Sequence, residues 1–288
     1  KKSNPGWTNN WLNRNWNWNS SSGFFLSFFV FHLANMKFTF LGTGTSQGVP
    51  VITCTCEVCS SSDMKDKRTR TSLLVQSEMT TIVIDTGPDF RAQMLRERVQ
   101  DLDAVLFTHG HKDHVAGLDD IRPFNYLLGK TIAVYAEERV QDILKKEFSY
   151  AFQPQDYPGA PQIQLHTIDE TPFVVGDIAI TPIRVMHKDL PVLGFRIGDF
   201  TYITDANHIS ENELQKIKGG KVLVLNALRR EAHFSHFNLA QAIDIAEALQ
   251  PQQVYFTHIS HHLGLYETVE AELPEQMHLA YDGLQVIL

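Results

Sequence analysis

Residues 106–118 read LFTHGHKDHVAGL, which sets His109, His111, Asp113 and His114 within six positions directly after an apolar run. Imidazole and carboxylate are efficient ligands for a borderline divalent metal when the first is neutral and the second ionised. An H-x-H-x-D-H stretch leaving a buried strand can turn its side chains two ways, the first two histidines toward one ion and the Asp-His pair toward another. It closes neither site alone. Further ligands have to come from distant strand ends, and three are at hand: His187 ends ITPIRVMH, Asp205 ends FTYITD and His258 ends QVYFTH. A polar residue at one strand end is common; three of them beside this run form a candidate metal constellation.

The rest of the chain is compatible with one large domain. It has 288 residues, 43% of them hydrophobic and 20% charged, enough for a sizeable globular core. The net charge of −8 argues against a broad nucleic-acid-binding surface, which needs a basic footprint. Cys54, Cys56 and Cys59 are the only cysteines, an odd and closely spaced set that disfavours a disulfide framework and suits thiolates in a reducing cytoplasm. Residues 1–35 differ in composition from the body of the chain. They hold all four tryptophans in an asparagine-rich stretch, then the apolar run FFLSFFVFHLA, too short for a membrane span. A strand pattern starts after Met36. The expected division is a 1–35 N-terminal extension outside the fold and a 36–288 folded domain.

Strand patterns dominate both halves of 36–288. KFTFLGT, the pair TSLLVQS and TTIVIDTG read as a hairpin, DAVLFTH and TIAVYA make a first run; IQLHTI, FVVGDIAITPIRVMH, GFRIGD, FTYITDA, KVLVLNA, QVYFTHIS and LQVIL make a second. EERVQDILKKEF, SENELQKI, NLAQAIDIAEALQ and ETVEAEL read as helices, the second with a Ser210–Glu213 capping box, and 152–162 as a loop. The economical architecture is of α/β (α+β) class: two sheets face to face with helices outside, a four-layer αββα sandwich whose loops at one edge carry the chemistry.

With these residues in view, the chain resembles the metallo-β-lactamase superfamily from Met36 to its C-terminus. The resemblance implies that His109, His111 and His187 hold one divalent metal, that Asp113, His114 and His258 hold a second, and that Asp205 bridges them. It implies Zn2+ or Mn2+ as the pair. Two dications sharing a water lower its pKa and supply hydroxide near neutral pH.

CTCEVC is the second cluster. Cys54, Cys56 and Cys59 can grip one ion, and tetrahedral zinc wants a fourth ligand. GTGTSQGVPVITCTCEVC and THISHHLG resemble the PhnP group, phosphodiesterases that open 5-phosphoribosyl 1,2-cyclic phosphate. That resemblance assigns a structural Zn2+ to the three cysteines and His261, with His262 a rival that spacing does not separate. HFSHFNLAQA sets His236 just before a helix; relatives in this group and tRNase Z carry a histidine here that contacts the scissile phosphate and protonates the leaving oxygen. His236, with Asp113, is thus the catalytic candidate. His208 and His233 read as surface residues, and Arg70 and Arg91 as weaker candidates for phosphate contact.

The expected function is a metal-dependent phosphodiesterase acting on a small cyclic phosphodiester. Alternatives are tRNA 3′ processing, for which no Gly- and Pro-containing arm is evident between His114 and His187, and thioester hydrolysis of the glyoxalase II kind, which explains neither the cysteines nor His236. The expected partner is a small phosphodiester, with no large nucleic acid and no membrane; a homodimer stays open.

Overall fold

The computed structural model describes residues 35–153 and 159–288. The expected extension 1–35 therefore lies outside the described residues but for Asn35, as does the centre of the 152–162 loop. Two sheets carry the fold among the described residues. The first is seven-stranded, in the order Gln285–Ile287, Lys37–Gly42, Ser72–Gln76, Thr81–Ile84, Ala104–Leu106, Ile132–Ala136, Ile163–Thr167. The second is eight-stranded, in the order His208–Ile209, Ile178–His187, Leu190–Ile197, Phe200–Tyr202, Val222–Asn226, Gln253–Thr257, Met277–Leu279, with Phe173–Val175 paired onto Ile178–His187.

The alternation of side chains along the strands sorts the residues into layers. Phe38, Phe40, Leu73, Val75, Ile82, Ile84 and Leu106 face the second sheet, where they meet Ile180, Phe195, Phe200, Tyr202 and Val224. Phe38 and Phe200 stack across the gap with ring centroids 3.9 Å apart. The odd neighbours Leu74, Val83 and Val105 face outward, under Phe90, Met94, Leu118 and Phe124. On the far side, Leu223, Leu225, Val254 and Phe256 lie under Leu239, Ala242 and Ala246 of the helix Leu239–Leu249. Each fully buried side chain of this size contributes about 1.5–3 kcal/mol, so the middle layer is the main source of stability. The αββα sandwich is thus the observed fold.

Thr81–Ile84, Ala104–Leu106, Ile132–Ala136 and Ile163–Thr167 run parallel in the first sheet. Phe200–Tyr202, Val222–Asn226, Gln253–Thr257 and Met277–Leu279 run parallel in the second. Parallel strands gather their carboxyl ends at one edge, the usual crevice for ligands in α/β folds. The chain crosses between sheets at that edge: Thr45 donates its N–H to Ile259 (3.0 Å), and Ile259 donates to Thr43 (2.9 Å).

Besides the single-turn helices Glu57–Ser60, Lys112–Val115 and Ser149–Phe152, two longer helices have no counterpart in the sequence reading. Phe90–Glu97 buries only Phe90, Gln93 and Met94, too few apolar positions to announce a helix. Arg122–Leu128 carries Pro123 in its first turn and ends on Gly129 at φ +66°, the usual asymmetry of proline at the start and glycine at the stop. The capping box expected at Ser210 is absent. Ser210 sits at the N-cap without a side-chain cap bond, because Glu213 instead accepts the backbone N–H of Arg184 (2.8 Å) and pairs with Lys216 (2.8 Å). A reciprocal capping box forms at Asn238 and Gln241. Among the described residues no helix is long and apolar enough to cross a membrane.

Candidate metal centre

Among the described residues three groups of ligand-type side chains bring their ligand atoms within 4.8 Å of one another: His109, His111, His187 and Asp205; Asp113, His114, Asp205 and His258; and Cys54, Cys56, Cys59 and His261. The first two share Asp205. Its Oδ2 lies 3.6 Å from His109 Nε2 and 3.3 Å from His114 Nε2, and its Oδ1 lies 2.9 Å from His258 Nδ1. His109 Nε2 and His111 Nδ1 are 2.9 Å apart.

The strand ends that present these groups leave the ordinary backbone regions. Asp85, Asp205 and His258 take left-handed φ values of 63°, 59° and 56°. Such conformations in residues with a Cβ cost on the order of 1–3 kcal/mol each and persist where the surroundings over-determine them. Here Asp205 and His258 turn their side chains off the ends of buried strands toward each other, and Asp85 turns its own toward His114 Nδ1.

Hydrogen bonds on the outer nitrogens fix which nitrogen faces inward. His187 donates from Nδ1 to the carbonyl of Ser235 (2.8 Å), which leaves Nε2 as its lone-pair atom. His114 Nδ1 is 2.7 Å from Asp85 Oδ2. Its buried Nε2 makes no hydrogen bond, although Asp113 Oδ2 and Asp205 Oδ2 stand 3.2 and 3.3 Å away. Asp85 also accepts the N–H (2.9 Å) and hydroxyl (2.7 Å) of Thr108. A histidine held from behind by a carboxylate is the usual support of a metal ligand. Asp85 is the residue the sequence reading missed. Its signal was an aspartate closing the buried strand TIVI.

The charges are arranged for a cation. Burial, and then the charge of His114, push His109 well below the usual histidine range, so its imidazole is neutral. Burial would raise Asp205, but His258 and His114 hold it well below the carboxylate range; His114 does the same for Asp113. His114 is itself raised well above its ordinary value, burial being outweighed by Asp205, Asp113 and Asp85. Asp113 and Asp205 thus demand positive charge in a largely buried space, while burial pushes Asp85 up behind them. A proton on His114 meets that demand, and a divalent cation fits the same place once the proton has left, because such an ion requires neutral imidazoles and ionised carboxylates.

The cysteine group has tetrahedral proportions. His261 Nδ1 lies 3.3, 3.4 and 3.4 Å from the sulfurs of Cys54, Cys56 and Cys59. Zinc at its usual bond lengths gives an N–S edge of about 3.5 Å. The backbone N–H of Cys59 pulls Cys56 down to about 6, while burial pushes Cys59 up to about 11. His262 lies against His261, ring centroids 4.0 Å apart and planes tilted by 49°, and is not in the group. The arrangement ties the loop 54–59 to the loop 257–264.

His236 is 8% exposed, and its ring lies 4.6 Å from that of His187 and 4.8 Å from that of His258. Its Nδ1 is buried without a partner, and burial pushes its pKa down to about 3. His233 is nearby, ring to ring 5.3 Å from His236, and His208 is an exposed strand residue. Arg70 is held by Asp89 (3.1 Å) and by the carbonyl of Ser46 (3.1 Å), which makes it a brace for the 46–50 loop. Arg91 lines a cavity with Met94, Phe124 and Leu127 in which none of the metal-site residues takes part.

The profile of the beta-lactamase superfamily domain matches residues 80–259. A crystal structure described as a new diphosphatase from the PhnP family is 38% identical, with a TM-score of 0.83 over 88% of this chain and 97% of that one. Zn(2+)-bound PqqB from Methylobacterium extorquens shares the fold at 20% identity, with a TM-score of 0.74 over 88% of this chain and 100% of that one. Among curated proteins, an octanoyltransferase of Porphyromonas gingivalis (strain ATCC BAA-308 / W83) is 42% identical over 256 residues, 88% of this chain and 52% of that protein. The chain spans about half the length of the curated relatives it matches.

Proposed function

The chain belongs to the metallo-β-lactamase superfamily and, within it, to the PhnP family, and from that premise we propose that this metal-dependent hydrolase is a dinuclear phosphodiesterase opening a small cyclic phosphodiester of the phosphoribosyl 1,2-cyclic phosphate kind. His109, His111 and His187 would hold one divalent ion, Asp113, His114 and His258 the other, with Asp205 between; Cys54, Cys56, Cys59 and His261 would hold a structural Zn2+. Bound there, a pair of Zn2+ or Mn2+ ions supplies Lewis acidity for a phosphoryl oxygen and a nucleophile from water near neutral pH.

One observation carries the reading: His236 is packed against a ligand of each metal group with Nδ1 free. Burial holds it neutral, pushed down to about 3. An anionic diester entering beside it replaces lost hydration with attraction, which raises the imidazole toward its ordinary range. It then becomes able to donate a proton to the departing alkoxide. Asp113 is held ionised by His114 and would serve as a ligand beside it, while Asp85 orients His114 from the outer side.

The diphosphatase relative makes a phosphoanhydride the nearest competing substrate. The octanoyltransferase name belongs to a protein about twice as long, and the cysteines of this chain converge on His261, which leaves no free thiol for acyl transfer among the described residues. The test is a panel of a ribose cyclic phosphodiester, 2′,3′-cyclic nucleotides, bis(p-nitrophenyl) phosphate, a dinucleoside diphosphate and an octanoyl thioester, with bound metal quantified. Turnover of the cyclic diester supports the reading. Turnover confined to the diphosphate or the thioester overturns it. The partner we propose is this small substrate, in the cytoplasm, without nucleic acid or membrane.

A further inference from the structure

We propose that Phe234 and Lys188, clipped together by Asn207, form a second subsite at the mouth of the metal centre that takes a nucleobase and its adjoining phosphate. This rests on the metal-dependent phosphodiesterase reading and departs from it in one respect: a phosphoribosyl cyclic phosphate carries no base, so a base held here makes the diester a nucleotide one.

Phe234 is 69% exposed, two residues before His236. A line of rings leads out to it from the metal groups: His236 to His233 at 5.3 Å, then His233 to Phe234 at 4.5 Å with 31° between the planes. A large ring left in water at that place forgoes the stabilisation of burial. It also presents an aromatic face, on which a base can stack. Lys188 directly follows His187, and its Nζ stands over the face of the Phe234 ring, 5.6 Å from the centroid, so a base stacked there displaces the ammonium outward to the adjoining phosphate. Among the described residues its only carboxylate neighbour within 4 Å is Asp189 at 3.9 Å, an exposed and screened contact. The ammonium is therefore available to an anionic oxygen next to a stacked base. The two side chains come from loops 46 residues apart, yet both loops are held by one amide. Asn207 Oδ1 accepts the backbone N–H of Lys188 (2.8 Å), and Asn207 Nδ2 donates to the carbonyl of Phe234 (3.0 Å). Cation and ring are thus fixed relative to each other and to the metal ligand His187. An aromatic face, a free ammonium and a rigid span to the scissile centre suit a planar group joined to phosphate.

The experiment uses the full chain loaded with zinc and two esters that release the same p-nitrophenolate: the p-nitrophenyl ester of thymidine 5′-phosphate, and methyl p-nitrophenyl phosphate. The readout is the ratio of kcat/KM for the first over the second. Phe234→Ala is expected to lower that ratio about 10- to 100-fold, the usual range for loss of one stacked base. Phe234→Tyr restores it. Lys188→Met is read on thymidine 3′-phosphate 5′-(p-nitrophenyl phosphate), which carries a second phosphate: its kcat/KM falls several-fold relative to the thymidine 5′ ester, an effect that fades as salt is added. A ratio that stays within about two-fold of wild type in Phe234→Ala, with an unchanged circular dichroism spectrum, overturns the subsite and leaves the phosphodiester reading standing. Failure of the wild type to cleave either ester, together with the cyclic diesters of the panel above, overturns that reading, and the subsite with it.

Discussion

Asp85 Oδ2 and His114 Nδ1 lie 2.7 Å apart with both side chains sealed from solvent, so the residue that aims the histidine is as deeply placed as the histidine itself. Replacing Asp85 by Ala strands three donors at once, the His114 ring N–H and the N–H and hydroxyl of Thr108. An unpaired buried donor costs about 1–3 kcal/mol, and that variant is expected to be severely destabilised. Asp85→Asn keeps the shape and loses the charge. Its metal affinity should fall by about 10- to 100-fold, as for other outer partners of ligating histidines. Competition against a chelator of known affinity measures this; an unchanged affinity would show that Asp85 is only part of the core.

Cys56→Ser should lower the metal content by one equivalent per chain and lower Tm, while much of the hydrolysis survives. Cys56 is exposed and carries the depressed thiol of its group, at about 6, so it is the first to offer a thiolate. Elemental analysis of wild type and variant decides. An identical zinc content in both rules out the cysteine site.

His236→Ala should retain the metals and the fold. Its kcat should drop by about 10²- to 10⁴-fold, the range for a lost general acid. The loss should be largest for an alkoxide leaving group and small for p-nitrophenolate, which departs without a proton. Equal losses on both would reassign His236 to holding the phosphate.

Glu137 gives the fold a measurable acid limb. It binds Arg184 (2.5 Å) and Arg139 (2.6 Å). Burial acts to raise Glu137, but the two guanidinium groups outweigh it and hold it below 4.5. A carboxylate depressed on folding contributes stability that is fully present above its unfolded pKa and is lost as pH falls through the folded one. Wild type and Glu137→Gln should therefore differ in Tm at pH 7 and converge below about pH 4. Thermal melts from pH 7 to pH 3 test this, and a gap that stays constant over that range contradicts it.

The sheets were legible because their strands alternate cleanly: Phe38 and Phe40 or Ile82 and Ile84 on one face, Leu74 and Val83 on the other. The residues now found together around Asp205 were legible because each closes such a strand. Asp85 closes one too, and went unread because an outer partner has no spacing motif of its own; its role exists only through His114, 29 residues away. Phe90–Glu97 was hidden for a related reason, since a helix lying on a sheet needs few apolar positions to stay there. Sequence could not separate His261 from His262, adjacent residues whose difference lies in which ring the backbone turns toward the sulfurs.

Met36 and Leu288 exchange both of their backbone hydrogen bonds, at 2.8 and 3.0 Å. They sit at the far end of the strand Lys37–Gly42 from the loop that meets His258 through Thr45. The polypeptide thus enters and leaves this fold through a single doorway, about one strand length, or 20 Å, from the reacting edge. A linker joining Leu288 to Met36 would have to span only one strand-to-strand spacing, about 5 Å.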